Sequence, residues 1–151
     1  MPQSLSKLLV HIIFSTKERY AYLSDPELRA GMHAYLAGAF NREECPALLV
    51  GGPSEHVHVL CLLGRTSCLS ELLRKTKRSS SLWAKERGGR LSKFGWQNGY
   101  GAFSIGQSQV DELKKYILGQ EEHHRRVSFQ DELREFLRRY EVPYDERYIW
   151  E

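Results

Sequence analysis

Residues 7–16, the run Lys-Leu-Leu-Val-His-Ile-Ile-Phe-Ser-Thr, crowd β-branched and aromatic side chains together ahead of a charged turn at Lys17-Glu18-Arg19, the pattern of a buried strand. Ser24-Asp25-Pro26-Glu27 then opens a helix, with Ser24 or Asp25 as cap and Pro26 in the first turn. Leu28, Met32, Tyr35, Leu36, Ala39 and Phe40 recur at helical spacing, which predicts a helix over 26–42. An apolar run at 47–50, the breaker Gly51-Gly52-Pro53-Ser54 and a second run at 56–63 form a hairpin pattern. From Ser70 to about Arg87, Leu72, Leu73, Thr76, Leu82 and Trp83 sit among basic residues, predicting a second helix with a cationic outer face, ended by Gly88-Gly89. Residues 100–105 are strand-like, and Val110, Leu113 and Ile117 mark a third helix. Ser128-Phe129-Gln130-Asp131 has the form of a capping box and opens a last helix to about Tyr140, where Val142-Pro143 stops it. The order β-α-β-β-α-β followed by helices predicts a ferredoxin-like α/β sandwich: an antiparallel sheet with helices on one face and extra C-terminal helices.

Composition narrows this picture to one domain spanning 1–151. A chain of 151 residues with 41% hydrophobic and 27% charged positions is large enough to bury a core and too apolar to stay disordered. Cys45, Cys61 and Cys68 are odd in number and lack Cys-x-x-Cys spacing, so a disulfide framework is not expected. No apolar stretch approaches the roughly 20 residues of a membrane span, and the N-terminus lacks the layout of a signal peptide. A soluble protein of a reducing cytoplasm is expected, with no membrane partner.

The net charge of +3 conceals an uneven distribution. Between Arg65 and Lys93, nine Lys or Arg stand against Glu71 and Glu86, a balance of +7 that leaves −4 for the rest of the chain. With Ser79, Ser80, Ser81 and Trp83 interleaved, the residues Arg74, Lys75, Lys77, Arg78, Lys85, Arg87 and Arg90 are candidates for binding nucleic-acid phosphates. An ordinary solvated helix face is the other explanation.

Candidate chemistry centres on His56-Val57-His58. Strand alternation turns both imidazoles to one face and Val57 and Val59 to the other, so the pair can chelate a metal or form hydrogen bonds within a partly buried layer. Cys61 falls on the opposite face and is expected to be a core thiol. His123 and His124 diverge by about 100° on a helix and are expected at a solvated helix end, while His11 is expected to be a satisfied sheet histidine. Tyr116 and Gln120, four residues apart, share one face of the third helix.

Three segments taken together resemble the single-tyrosine HUH transposases of the smallest bacterial insertion sequences, the IS200-like family, and the related REP-associated tyrosine transposases. They are Glu55-His56-Val57-His58-Val59, residues 96–104 (Trp-Gln-Asn-Gly-Tyr-Gly-Ala-Phe-Ser) and Tyr116-Ile117-Leu118-Gly119-Gln120, followed by an acidic and aromatic tail at 140–150. The resemblance implies that His56, His58 and Gln120 bind one divalent metal, Mg²⁺ or Mn²⁺, and that Tyr116 is the nucleophile. It implies cleavage and rejoining of single-stranded DNA at hairpin-marked element ends through a 5′-phosphotyrosine, carried out by a homodimer. A domesticated endonuclease acting on repeat hairpins and a non-catalytic nucleic-acid-binding module are the alternatives. Glu55 is either an orienting partner of a histidine or a surface acid.

Overall fold

The apolar run near the N-terminus becomes β1 (Leu9–Ser15), which pairs on both sides, with β3 (His56–Leu62) and with β4 (Gly101–Ile105). A strand covered on both faces has no solvent side to alternate toward, which is why its sequence is nearly continuous in apolar residues. The hairpin partner of β3 is β2 (Ala47–Gly51), and the sheet order β2-β3-β1-β4 is antiparallel at every junction. The computed structural model describes residues 2–151.

Helices α1 (Pro26–Arg42) and α2 (Leu69–Lys85) supply the two crossovers of a ferredoxin-like fold. Both pack on one face of the sheet, where Met32, Leu36 and Phe40 of α1 and Leu72, Leu73 and Ala84 of α2 meet Ile12, Phe14, Val57, Val59 and Cys61. Cys61 is therefore a buried core thiol, its pKa pushed up to about 12 by burial and by Cys45. Asp25, rather than Ser24, caps α1, its carboxylate accepting from the Leu28 amide at 3.2 Å.

The extra helices cover the other face. Val110, Leu113 and Ile117 of α3 (Val110–Leu118) pack on Leu9 and Leu60, and Phe129, Leu133 and Leu137 of α5 (Phe129–Arg139) pack on Ile13 and Phe103. Ser128 caps α5 by accepting from the Asp131 amide at 3.1 Å. The third helix differs from the sequence expectation: it stops at Leu118, and a single turn, α4 (Gln120–His123), resumes after Gly119. Glycine is a poor helix former, and Gly119 ends α3 with its amide on the Lys115 carbonyl while its own carbonyl receives the His123 amide. Among the described residues no helix is long and apolar enough to cross a membrane.

Candidate active site

Alternation along β3 does what its spacing predicts. His56 and His58 project together onto the face covered by α3 and α5, fully buried, with Ser15 and Ile13 of β1 as their cross-strand neighbours. Each imidazole is held through Nδ1, His56 by Glu55 Oε1 at 3.0 Å and His58 by His11 Nε2 at 2.8 Å. A ring fixed through Nδ1 presents Nε2 as its free donor atom. Glu55 is thus an orienting partner and not a free surface acid. His11 is only half satisfied, because its Nδ1 is buried without a partner, and burial lowers its pKa to about 3.

The two Nε2 atoms converge on a carboxylate that the sequence reading did not single out. Glu132 Oε1 lies 3.2 Å from Nε2 of His56, of His58 and of His124. Its other oxygen accepts from the Gln120 amide at 3.0 Å and from the Tyr116 hydroxyl. A signal was present in the sequence: in Phe129-x-x-Glu132-Leu133-x-x-Phe136-Leu137, Glu132 occupies a position of the apolar stripe, where a charge needs buried partners.

The expectation of a solvated helix end at His123-His124 is corrected for one of the two. His123 keeps 30% exposure of its side chain, with Nε2 3.4 Å from the Tyr116 hydroxyl, but the His124 side chain is buried against His56 at a ring separation of 4.5 Å. The turn after Gly119 swings His124 inward. Gln120 is buried as well, with Oε1 3.2 Å from His56 Nε2. Tyr116 and Gln120 end up on different helices yet meet at Glu132 Oε2.

Electrostatics follow from this packing. Burial alone would raise the Glu132 pKa, but contacts with the imidazoles of His124, His56 and His58 outweigh it and hold the carboxyl well below its usual range. Burial lowers both strand histidines. Glu132 and Glu55 together reverse this for His56, whereas His58, with Glu132 alone, stays lowered. Burial and the Glu132 charge raise the Tyr116 phenol above its ordinary value.

His56, His58, His124 and Glu132 offer ligand atoms within 4.8 Å of one another and can hold a metal ion. The fit is supported by an orphan: His124 Nε2 is buried and poorly aligned for a hydrogen bond with Glu132, so it has no partner. Three imidazole nitrogens beside carboxylate and carboxamide oxygens form a donor set better matched to a first-row transition ion than to Mg²⁺, which favours all-oxygen octahedra.

The basic helix lies elsewhere. The buried stripe Leu72, Leu73, Thr76, Ser80 and Ala84 seats α2 on the face opposite the histidines, so its cationic side lies across the sheet from the cluster. Arg74 pairs with Glu71, Lys75 with Glu43 at 3.3 Å, and Arg87 stacks on Trp83 at 4.6 Å. Lys77 is drawn inward, donating to the carbonyls of Gln97 and Gly99 at 2.7 Å each, and burial lowers its pKa to about 8. Arg90 clamps the carbonyls of Ala21 and Tyr22 and the Ser24 hydroxyl. Arg78 and Lys85 remain exposed without an ion pair among the described residues.

Residues 4–120 match the family described as Transposase IS200 like. Solved structures share the fold, among them the following two. A protein of Deinococcus radiodurans provisionally described as a transposase aligns with a TM-score of 0.62 at 18% identity, covering 80% of this chain and 95% of its own. A REP-associated tyrosine transposase bound to a REP hairpin aligns with a TM-score of 0.59 at 14% identity, covering 84% of this chain and 74% of its own. No curated protein matches the chain.

Proposed function

This chain belongs to the Transposase IS200 like family, and on that premise we propose that it cleaves and rejoins single-stranded DNA at hairpin-marked element ends through a 5′-phosphotyrosine. In this reading Tyr116 is the nucleophile, and His56, His58 and Gln120 are ligands of a divalent metal, Mn²⁺ or Mg²⁺. The observation that carries it is the sharing of one carboxylate: Glu132 touches the Tyr116 hydroxyl with one oxygen and three imidazole Nε2 atoms with the other. The same geometry supports adding His124 and Glu132 to the ligand set, with Mn²⁺ favoured by the nitrogen donors.

The chemistry follows from the groups present. A phenol is a weak nucleophile near neutral pH, and burial makes the Tyr116 phenol weaker still. Glu132 Oε2 already accepts its hydrogen bond and aligns the hydroxyl. As the phenol oxygen bonds to phosphorus and the bond from phosphorus to the 3′ oxygen breaks, the phenol proton passes along this hydrogen bond to solvent, and the 3′ oxygen takes up a proton from solvent to leave as a 3′-hydroxyl. A divalent cation at this cluster supplies Lewis-acid polarisation of the scissile phosphate. The tyrosyl phosphodiester keeps the energy of the broken bond, so a 3′-hydroxyl can reverse the attack and rejoin strands without ATP.

Likeness to a protein bound to a REP hairpin supports a second reading, in which a resident enzyme nicks repeat hairpins without mobility. A homodimer belongs to either reading, supported by the outer edge of β2, which among the described residues pairs with β3 alone. The test is incubation of labelled single-stranded hairpin DNA with the protein and Mn²⁺. A denaturation-resistant adduct is expected from the native chain, and none from Tyr116→Phe or in excess chelator, with hairpin binding retained by the variant. A normal adduct from Tyr116→Phe, or in chelator, overturns the proposal.

A further inference from the structure

A cleft of about 300 Å³ opens between the C-terminal tail and the segment that precedes β4, next to the histidine cluster but distinct from it. Ligand sites begin at roughly this size, so the cleft accommodates one ring system and not a duplex. Its floor includes Phe129, whose ring stands 4.6 Å from that of His56, so an occupant lies one side chain away from the reacting centre.

The walls are aromatic and preset. Trp150 is fixed at its carbonyl by the Gln97 carboxamide at 2.9 Å and by Arg19, and at its indole nitrogen by Glu146 at 2.9 Å. The Arg134 guanidinium lies 5.0 Å from its ring centre. Facing the same space, Tyr100 and Tyr148 stay 41% and 59% exposed, and the Arg147 guanidinium lies 5.2 Å from the Tyr148 ring centre. The opposite rim is equally rigid: the two Lys77 hydrogen bonds hold residues 97–99, and Gly99 takes a φ of +83° that side-chain-bearing residues rarely adopt. Asn98 sits on this rim with no hydrogen bond to protein among the described residues, leaving one acceptor and two donors free.

A fixed indole at Trp150, the exposed rings of Tyr100 and Tyr148, a free carboxamide and the Arg19 cation together match the requirements of an unstacked nucleobase with its phosphate. We propose that this cleft seats one unpaired base of the DNA strand whose phosphate lies at the histidine cluster, with Trp150 and Tyr148 contacting the ring face and Asn98 reading its edge. The inference rests on the single-stranded-DNA reading above. A preset slot orders few groups on binding, which favours stacking.

Single-stranded oligonucleotides of random sequence carrying 5-iodouracil, irradiated with the full chain and mapped by mass spectrometry, test the seat. Cross-links are expected within 144–150 or 98–100, and Tyr148→Ala should weaken single-strand binding by roughly 5- to 100-fold, with Tyr148→Phe restoring it. Cross-links confined to other segments, or unchanged affinity of Tyr148→Ala, overturn the seat. If the tyrosyl adduct still forms under those outcomes, the transposase reading stands while the seat falls. If the chain neither binds single strands nor forms the adduct, both fall.

Discussion

Glu132 carries its charge into a layer otherwise filled by Phe129, Leu133 and Leu137, and the arrangement persists because every oxygen contact is polar. Removing one partner from such a buried set leaves the rest uncompensated, which costs about 3–5 kcal/mol. Control of the histidines, however, sits one residue outward. Glu55 holds His56 through Nδ1 from a partly exposed position, so it can be altered without opening the core. Glu55→Ala is expected to weaken Mn²⁺ binding by about 10- to 100-fold, the usual effect of removing a carboxylate behind a ligating imidazole. Calorimetric titration of the purified chain checks this independently of DNA cleavage. Undiminished affinity would return Glu55 to the status of a surface acid.

At the scale of elements, Tyr116, the proposed nucleophile, is positioned by a close approach between helix and strand. A methyl group on Gly51 at the end of β2 would stand 2.6 Å from Ile117 Cγ2 and 3.3 Å from the Ile117 carbonyl oxygen, so α3 lies almost against the strand backbone. Tyr116 is the neighbour of Ile117, and displacing α3 moves the phenol away from Glu132. Gly51→Ala is therefore expected to destabilise the fold by about 1–3 kcal/mol, through overpacking, and to reduce the tyrosyl adduct by more than the lost folded fraction explains. Denaturant midpoints and adduct yields measured on the same samples separate the two effects, and Ile117→Val should recover part of both. The break at Gly119 matters in the same way, since the short turn after it carries Gln120 and His124 inward, which a continuous helix from Val110 was not expected to do.

Across the whole molecule the sheet separates two groups of charged and polar side chains. One face carries the paired and stacked cations of α2, and the other carries the histidine cluster under α3, α4 and α5. Of the basic residues on α2, Arg78 and Lys85 are the exposed ones without an ion pair among the described residues, so they are the candidates for phosphate contact. Replacing both with alanine should weaken binding to all single strands alike and reduce the slope of log affinity against log salt by about 1.4, two phosphate contacts at about 0.7 each. An unchanged slope would assign α2 a structural role. Much of this was legible from local pattern. The six-element order followed from periodicity, the shared face of His56 and His58 from strand alternation, and the caps at Asp25 and Ser128 from residue type, because each depends on neighbours a few positions away. Glu132 and His124 were not assigned, although Glu132 interrupts an apolar stripe, because their role depends on helices that return to the sheet 74 residues after His58 in the case of Glu132. The balance of +7 likewise could not tell which cations are paired or drawn inward. By itself the sequence determined the sheet and its faces, since backbone geometry and side-chain periodicity act locally, whereas Tyr116 became the candidate nucleophile only through the family resemblance. Only the tertiary structure decided that Tyr116, Gln120, His124 and the two strand histidines converge on one buried carboxylate, because burying that charge requires partners that chain spacing does not specify.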